Sequence, residues 1–136
     1  MSTFLLEIVT PDHLAYSGEV ESLTVRGVEG DLGILPGHIP MVTPLQVAPL
    51  IVKTGKKTSQ IAVNGGFVEI RKDKVVVLAE SAETAEEIDL QRAEAAKERA
   101  ERRLAVSSKQ DEIDFRRAEL ALQKAINRIN VFGGKK

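Results

Sequence analysis

The spacing of apolar residues along the chain changes near Ser81. Before Ser81 the apolar residues come in short runs, and several runs alternate with polar residues in the period of two that is typical of β-strands. After Ser81 glycine and proline are absent until Gly133, and apolar residues recur every three or four positions. The second pattern indicates amphipathic helices. The chain is therefore predicted to have a β-rich first part and an α-helical second part.

Five segments of the first part are rich in the residues that favour strands. They are FLLEIVT (4–10), EVESLTVRG (19–27), TSQIAV (58–63), FVEIR (67–71) and KVVVLAE (74–80). Turns are predicted at Pro11-Asp12, Gly27, Gly30, Gly55, Asn64-Gly65-Gly66 and Lys72-Asp73. This spacing predicts an antiparallel β-sandwich or barrel of about 80 residues. The Gly65-Gly66 pair indicates either a tight hairpin or a close approach between strands.

The second part predicts two helices joined by a short connector. Thr84 and Glu87 have the spacing of a capping box, which favours a helix start at this point. The first helix has an apolar stripe of Ala93, Ala96, Ala100 and Leu104, and the second has Phe115, Ala118, Leu122, Ala125 and Ile129. A break at 107–110 separates the helices, and Gly133-Gly134 ends the second. We predict an antiparallel helical hairpin, with domains over 1–84 and 85–136.

Alanine dominates the seam of this hairpin, and this limits its stability. Each alanine buries little apolar area, and burial stabilises the folded state by only about 25 cal/mol per Å². A pair of helices of this length is marginal by itself in water. We therefore expect the hairpin to depend on the sandwich, a ligand or a partner for its conformation.

Composition narrows the class of protein. The chain has 136 residues, a net charge of −1, two histidines and no cysteine. Without cysteine there is no disulfide and no thiol catalysis, and two isolated histidines do not favour a zinc site. The balanced charge does not favour nucleic acid. The apolar runs are too short to cross a membrane, and the N-terminus lacks the features of a signal peptide, so we expect a cytosolic chain without direct membrane insertion.

Charge is distributed unevenly between the two parts. Residues 1–84 carry a net charge of −3 and residues 85–136 a net charge of +2. The basic residues of each predicted helix repeat at intervals of seven and four, which places them on one face. These residues are Arg92, Arg99 and Arg103 on the first helix, and Arg117, Lys124 and Arg128 on the second. They form either solvated faces with internal ion pairs or a cationic groove for phosphates or an acidic protein segment.

The segment EGDLGILPGHIPMVTPL, residues 29–45, is unusual for a surface. After two acids it carries no charge for 14 residues, and it holds three glycines and three prolines. These residues oppose a regular helix or a long central strand. We expect an exposed loop and edge of fixed irregular shape, which lowers the ordering cost of docking to a partner.

Three segments in this order resemble the epsilon subunit of the bacterial F-type ATP synthase. They are LGILPGHIPMVTPL (32–45), NGGFVEI (64–70) and IDLQRAEAAKERAERRL (88–104). The resemblance implies a non-catalytic rotor subunit of the central stalk, between the gamma subunit and the c ring. It also implies a C-terminal hairpin that lies folded on the sandwich or extends beside gamma to restrain ATP hydrolysis. The implied location is the cytoplasmic side of the cell membrane, as a peripheral protein.

The resemblance assigns contacts to named residues. Residues of the 29–45 segment are expected to meet the c ring or gamma: Glu29, Asp31, Leu32, Pro36, His38 and Pro40. His38 has a second interpretation, as a loop histidine that binds local backbone groups. The basic faces of the extended hairpin are expected to meet acidic segments of the alpha and beta catalytic subunits through Arg99, Arg103 and Arg117.

Some family members bind ATP as a regulatory ligand in the folded hairpin, and the pattern Ile88-Asp89-x-x-Arg92-Ala93 is complete here. The resemblance implies that Glu83 and Asp89 accept the adenine amino group and that Ile88 packs on the base. It implies that Arg92, Arg99 and Arg128 serve the phosphates. Lys124 stands where ATP-binding relatives have arginine, so it keeps the charge and loses the bidentate geometry. Asp89 and Arg92 have a second interpretation, as helix neighbours that pair with each other.

Two other classes of protein are weaker fits. One is a free-standing helical-hairpin interaction protein, such as a clamp or a nucleic-acid binder, but no aromatic residue lies among the basic positions. The other is an enzyme built on the sandwich. His13, His38 and scattered acids offer no defensible pair of nucleophile and base there.

Overall fold

The structure, a computed structural model, describes residues 2–106 and 112–134. Eight strands come first along the chain. They are β1 Phe4–Val9, β2 Leu14–Val20, β3 Ser22–Gly27, β4 Gly30–Ile34, β5 Met41–Thr54, β6 Lys57–Ile70, β7 Lys74–Ala79 and β8 Ala82–Thr84. A 3₁₀ turn at Ala85–Glu87 then leads to helices α1, Leu90–Val106, and α2, Glu112–Phe132. The predicted order of strands followed by helices is confirmed.

The strands form one unclosed sheet in the order β2-β1-β7-β6-β5-β3-β4, with β8 paired to β6. Every pair is antiparallel except β1 with β7. Leu6 of β1 and Leu23 of β3 lie far apart in this order, yet both are fully buried in the same core cluster. The sheet therefore folds over one core in two layers, which confirms the predicted sandwich.

Two 14-residue strands, β5 and β6, connect the layers. They stay paired from Met41 with Ile70 to Thr54 with Lys57, with one interruption between Leu45 and Val47. The prediction of two strands separated by a turn at Asn64-Gly65-Gly66 was wrong, because β6 runs through these residues without a break. The predicted turns at Pro11-Asp12, Gly55 and Lys72-Asp73 lie between strands and are confirmed, whereas Gly27 and Gly30 are the strand ends that flank the turn at 28–29.

The glycine pair instead allows a close approach between strands. Gly65 and Gly66 have φ values of +89° and +134°. A Cβ atom on Gly66 would lie 2.0 Å from the backbone oxygen of Leu78 on β7. Only glycine fits this position, because the left-handed backbone and the missing space both exclude a side chain. Of the two interpretations of Gly65-Gly66, the close approach is correct.

Strand β5 also corrects the expectation that the 29–45 segment contains no long central strand. Its proline residues lie where pairing with β3 is absent. Pro44 precedes the pair of Leu45 with Gly27, and Pro49 lies in the gap before Ile51 pairs with Thr24. A proline without an N–H group is tolerated at such interruptions. The predicted strand 19–27 was also wrong in part, since Glu21 separates β2 from β3.

The start of the first helix differs from its prediction. The Glu87 carboxylate accepts hydrogen bonds from the backbone N–H of Thr84, at 3.0 Å, and from the Thr84 hydroxyl, at 2.9 Å. This capping box closes only the 3₁₀ turn. Helix α1 begins three residues later, where Asp89 Oδ1 accepts the backbone N–H of Arg92 at 3.1 Å. Asp89 therefore caps α1, because a short acceptor side chain before the first turn satisfies a free backbone donor.

The two helices pack through the predicted alanine stripes and rest on the sandwich. Ala93 and Ala100 of α1, and Ala118 and Ala125 of α2, are at most 4% exposed. Ala62 of β6 forms a small buried cluster with Ile88 and Val131. The predicted connector at 107–110 lies outside the described residues. None of the helices that the structure describes is both long and apolar enough to cross a membrane.

Candidate ligand cleft between the sandwich and the hairpin

A cleft of about 460 Å³ opens between strand β8 and the two helices. Its walls carry charged side chains and small residues in one place. The lining residues are Ser81, Glu83, Glu87, Asp89, Arg92, Ala93, Ala96, Arg99 and Arg128. Six of the eight positions assigned to nucleotide by resemblance lie on this cleft: Glu83, Asp89, Arg92, Ala93, Arg99 and Arg128.

The three arginines of the cleft differ in their partners. Arg128 of α2 pairs through Nε with the carboxylate of Glu83 on β8, and both side chains are 29% exposed. Within residues 2–106 and 112–134, the guanidinium groups of Arg92 and Arg99 form no ion pair. Two cationic forks on α1 are therefore available to an anionic ligand, since guanidinium binds phosphate in a bidentate manner.

Asp89 lies at the N-terminus of α1, and one of its carboxylate oxygens already accepts a hydrogen bond. Its Oδ1 accepts a hydrogen bond from the backbone N–H of Arg92. The second interpretation, in which Asp89 and Arg92 pair with each other, therefore holds for the backbone of Arg92. A carboxylate has a second oxygen that can accept a further hydrogen bond. Ala93 and Ala96 beside it leave space above the helix. The cap and a ligand contact are thus compatible at Asp89.

Two assigned positions lie elsewhere. Ile88 is 5% exposed and packs with Ala62 and Val131 under the hairpin. The Nζ atom of Lys124 lies 3.5 Å from Glu80 Oε2, and Lys124 lines a separate, larger cleft of about 760 Å³. Position 124 is one helical turn before Arg128, but Lys124 pairs with Glu80 whereas Arg128 pairs with Glu83.

Glu87 is a cleft residue that sequence reasoning treated only as a cap. The hydrogen bonds from the Thr84 backbone and hydroxyl lower the pKa of the Glu87 carboxyl. The charge on Glu87 is therefore stabilised in the folded chain. With Glu83 and Asp89 it brings three carboxylates into the same cleft as the arginines. This arrangement suits a ligand that carries both anionic groups and hydrogen-bond donors.

The assigned residues of the 29–45 segment lie at one end of the sandwich. Glu29 and Pro40 are exposed, and Leu32, Pro36 and His38 are half-buried. Asp31 pairs with Arg26 at 3.2 Å on the adjacent strand. His38 Nδ1 lies 2.8 Å from the backbone oxygen of Ile39. His38 thus has the local backbone partner of its second interpretation.

Sequence reasoning missed an exposed apolar surface on the outer face of β5, β6 and β7. Cross-strand pairing aligns Pro44 with Phe67 and Phe67 with Leu78. Phe67 is 50% exposed and Leu78 is 47% exposed, and Val42 lies beside them on the same face of β5. We call Val42, Pro44, Phe67 and Leu78 the outer apolar face. Alternation within each strand indicated one outward face, but the pairing of distant segments was needed to see one surface.

Leu35 and Ile39, which are 62% and 77% exposed, extend this apolar character onto the loop between β4 and β5.

The remaining assigned residues of the hairpin, Arg103 and Arg117, are exposed to solvent and lie outside the cleft. Among the described residues no group of three or more histidine or acidic side chains is arranged to hold a metal ion.

Two family models match the chain in sequence. The ATP synthase delta/epsilon chain β-sandwich domain matches residues 3–85, and the ATP synthase delta/epsilon chain long α-helix domain matches residues 86–133. The chain therefore belongs to the ATP synthase delta/epsilon family.

Similar proteins agree with this family. The ATP synthase epsilon chain of Alkalihalophilus pseudofirmus is 57% identical over 133 residues, which are 98% of this chain and 99% of that one. The ATP synthase epsilon chain of Bacillus subtilis is 53% identical with the same coverage. A chain in the Euglena gracilis mitochondrial ATP synthase OSCP/F1/c-ring structure is 28% identical with a TM-score of 0.77. The match covers 93% of this chain and 79% of that one.

Proposed function

We propose that this chain is a non-catalytic rotor subunit of an ATP synthase central stalk, and that its hairpin senses ATP. The family match favours this function over a free-standing interaction protein. The observation that supports ATP sensing is the cleft between the sandwich and the hairpin, which carboxylates line together with Arg92 and Arg99, two arginines that have no ion pair in the described part of the chain. A ligand in that position contacts both parts and therefore stabilises the docked hairpin.

The energetic reason is linkage between binding and conformation. A ligand that binds only the docked hairpin shifts the population by RT ln(1 + [L]/Kd), which is about 1.4 kcal/mol at ten times Kd. The buried apolar cluster between the hairpin and the sandwich is small, which indicates a docking energy of modest size, so this shift changes the docked fraction substantially. High ATP then keeps the hairpin on the sandwich, and low ATP releases it.

Calorimetric titration of ATP into the full chain, with and without magnesium, tests this proposal. We expect saturable binding that Arg92→Ala weakens by more than ten-fold, because a hydrogen bond to a charged group contributes about 1.5–3 kcal/mol. Arg102→Ala is the matched control, since Arg102 is exposed on the same helix and lies outside the cleft. Equal affinities for Arg92→Ala and the wild type, or no binding at millimolar ATP, contradict ATP sensing.

We propose that the outer apolar face docks on the gamma subunit and that residues 29–40, the remainder of the neighbouring 29–45 segment before β5, meet the c ring. Exposed Phe67 and Leu78 support this assignment, because a contiguous apolar surface marks an interface. The position would hold the chain at the membrane as a peripheral protein on the cytoplasmic side. Solved relatives in ATP synthase F1/c-ring assemblies are consistent with it.

Co-purification with gamma and the c ring tests the docking surface. Phe67→Glu should reduce capture of the chain strongly, because it buries an unpaired charge in the interface. Leu14→Glu is the matched control, since Leu14 is 53% exposed on edge strand β2, away from this face. Equal capture of both variants and the wild type contradicts the assignment.

We propose further that the released hairpin restrains ATP hydrolysis through its basic face. Arg103 and Arg117 are exposed in the docked form and outside the cleft, so they are available for acidic segments of the catalytic subunits after release. Replacement of both by glutamate should relieve inhibition of the ATPase head and leave ATP affinity of the isolated chain unchanged. Unaltered inhibition contradicts this contact.

A further inference from the structure

A chain of hydrogen bonds, buried at Asn127 and Asn64 and partly buried at Ser81, joins helix α2 to the wall of the cleft. Asn127 of α2 is 5% exposed, and its Nδ2 donates to the Val63 backbone oxygen at 3.1 Å and to Asn64 Oδ1 at 3.3 Å. Asn64 is 1% exposed, and its Nδ2 donates to Ser81 Oγ at 2.7 Å. We call Asn127, Asn64 and Ser81 the amide relay.

The relay runs in one direction and ends at the cleft. Ser81 Oγ accepts the Asn64 amide, and a hydroxyl has one hydrogen left to donate. Among residues 2–106 and 112–134 that hydrogen has no acceptor. Since Ser81 lines the cleft, an acceptor atom in the cleft is the natural partner of this hydrogen.

We propose that Ser81 is a further ligand-contact residue and that the amide relay couples its contact to docking of α2. The ligand atom at Ser81 is a hydrogen-bond acceptor. The nearby arginines favour an anionic oxygen as this acceptor. The coupling rests on two facts. Successive hydrogen bonds polarise one another in a buried setting, and undocking of α2 removes the donor from Asn64 and Val63. This inference rests on the proposed function for the identity of the ligand only.

The loss of any relay member leaves a buried partner unsatisfied, which is costly in the interior. Ser81→Ala leaves the Asn64 amide without its acceptor, although Ser81 itself makes no hydrogen bond with α2 among the described residues. A merely local role of Ser81 would leave α2 unaffected. Amide hydrogen exchange of residues 125–131 therefore distinguishes the relay from a local role.

The first arm of the test measures this exchange in the full chain without nucleotide. Asn127→Ala and Ser81→Ala should each raise exchange about five-fold, and the double variant should not multiply the two effects. Asn130→Ala and Ser17→Ala are the matched controls, because neither side chain has a hydrogen bond within the described part of the chain. Unchanged exchange in Ser81→Ala, or multiplied effects in the double variant, overturns the coupling. Ser81→Ala carries the test if Asn127→Ala does not fold.

The second arm measures ATP affinity by calorimetry. Ser81→Ala should lower affinity about five-fold, and Ser81→Thr, which keeps the hydroxyl, should restore most of it. Wild-type affinity in Ser81→Ala overturns the ligand contact. If the wild type itself binds no ATP, the proposed ATP sensing and the ATP contact both fail, and the coupling still stands or falls by the exchange arm.

Discussion

Arg128 and Glu83 form an ion pair that joins helix α2 to strand β8 at the wall of the cleft. Both side chains are more than two-thirds buried. The pair is thus less screened by water than the exposed pair of Arg26 with Asp31. It stabilises the docked hairpin and also sets the position of one cleft arginine.

The Glu83→Gln substitution tests the contribution of this pair. We expect the free energy of unfolding to fall by about 1 kcal/mol at low salt, and by less at high salt because ions screen the attraction. Urea unfolding at two salt concentrations measures both. Asp31→Asn is the control for an exposed pair and should cost less than about 0.5 kcal/mol. Equal losses in the two variants would contradict a special role for the Arg128–Glu83 pair.

Gly66 should tolerate no side chain. In Gly66→Ala the new Cβ would meet the Leu78 backbone oxygen at 2.0 Å, in a backbone conformation that favours glycine. We expect a loss of about 3 kcal/mol in the free energy of unfolding, measured with urea. Gly33→Ala, with open space around its Cβ and no positive φ, should change it by less than about 0.5 kcal/mol. Similar small effects of both substitutions would show that β6 and β7 can separate here.

The role of Asp89 as a helix cap should be separable by mutation from its role as a ligand contact. Asp89→Asn keeps a capping oxygen, so stability should change little, whereas Asp89→Ala should cost about 1 kcal/mol. If the carboxylate charge also faces the ligand, both variants should weaken ATP binding. Thermal unfolding and calorimetry on the same samples give the two quantities. Wild-type ATP affinity in Asp89→Asn would leave Asp89 with the capping role alone.

Lys124 should matter less for ATP than its position in the sequence implies. Its side chain pairs with Glu80 and lines the larger cleft, so Lys124→Ala should leave ATP affinity within about two-fold. Arg128→Ala, one turn later on the same helix, should lower affinity by more than ten-fold through loss of a charged donor. A larger loss in Lys124→Ala would place Lys124 at the phosphates in the bound state.

Glu87 should make stability depend on pH in acid. Its pKa in the folded chain is lowered from the ordinary value of 4.5 by the hydrogen bonds from Thr84. The unfolded chain therefore binds the proton first as pH falls, so this stabilisation is complete above pH 4.5 and is lost as pH falls through the folded pKa.

Urea unfolding of Glu87→Gln across this range measures the contribution of Glu87. The variant should lose less stability than the wild type between about pH 5 and pH 3. Glu86→Gln is the matched control, because the exposed Glu86 carboxylate accepts no hydrogen bond from any described residue. An identical pH dependence in the wild type and Glu87→Gln would contradict the assigned cause.

Local patterns predicted the element types well but not the path of long strands. The turn residues Asn64-Gly65-Gly66 look the same in sequence whether they end a strand or bend one. Only the distant Leu78 backbone, which occupies the space of a Cβ, decides between these outcomes. The start of α1 shows the same limit. Thr84–Glu87 and Asp89 both carry capping signals, and the tertiary contacts of Ile88 favour a helix that begins after Asp89.

The candidate site was predictable to the extent that one helix face carries it. Helical spacing placed Arg92 and Arg99 on one face of α1, and the family resemblance assigned them, with Ala93, to a nucleotide site. The sequence gives no sign that Ser81, Asn64 and Asn127 are connected, because their relation depends on how β6 and α2 meet. Lys124 and Arg128 share a helix face, but they pair with different acids, Glu80 and Glu83, and this difference also depends on how α2 meets the sandwich.

The β5–β6 ribbon has a consequence for transmission of force. Each strand contains 14 residues, or about 45 Å of extended backbone. Near one end of the ribbon, Val42 and Phe67 belong to the outer apolar face. On the other side of Gly65-Gly66, Asn64 and Ala62 lie under helix α2. One pair of strands therefore carries both the outer apolar face, which is the proposed docking surface, and the residues on which the hairpin rests. If a partner docks as proposed, a force that it applies to this face reaches the hairpin through continuous backbone, without crossing a loop.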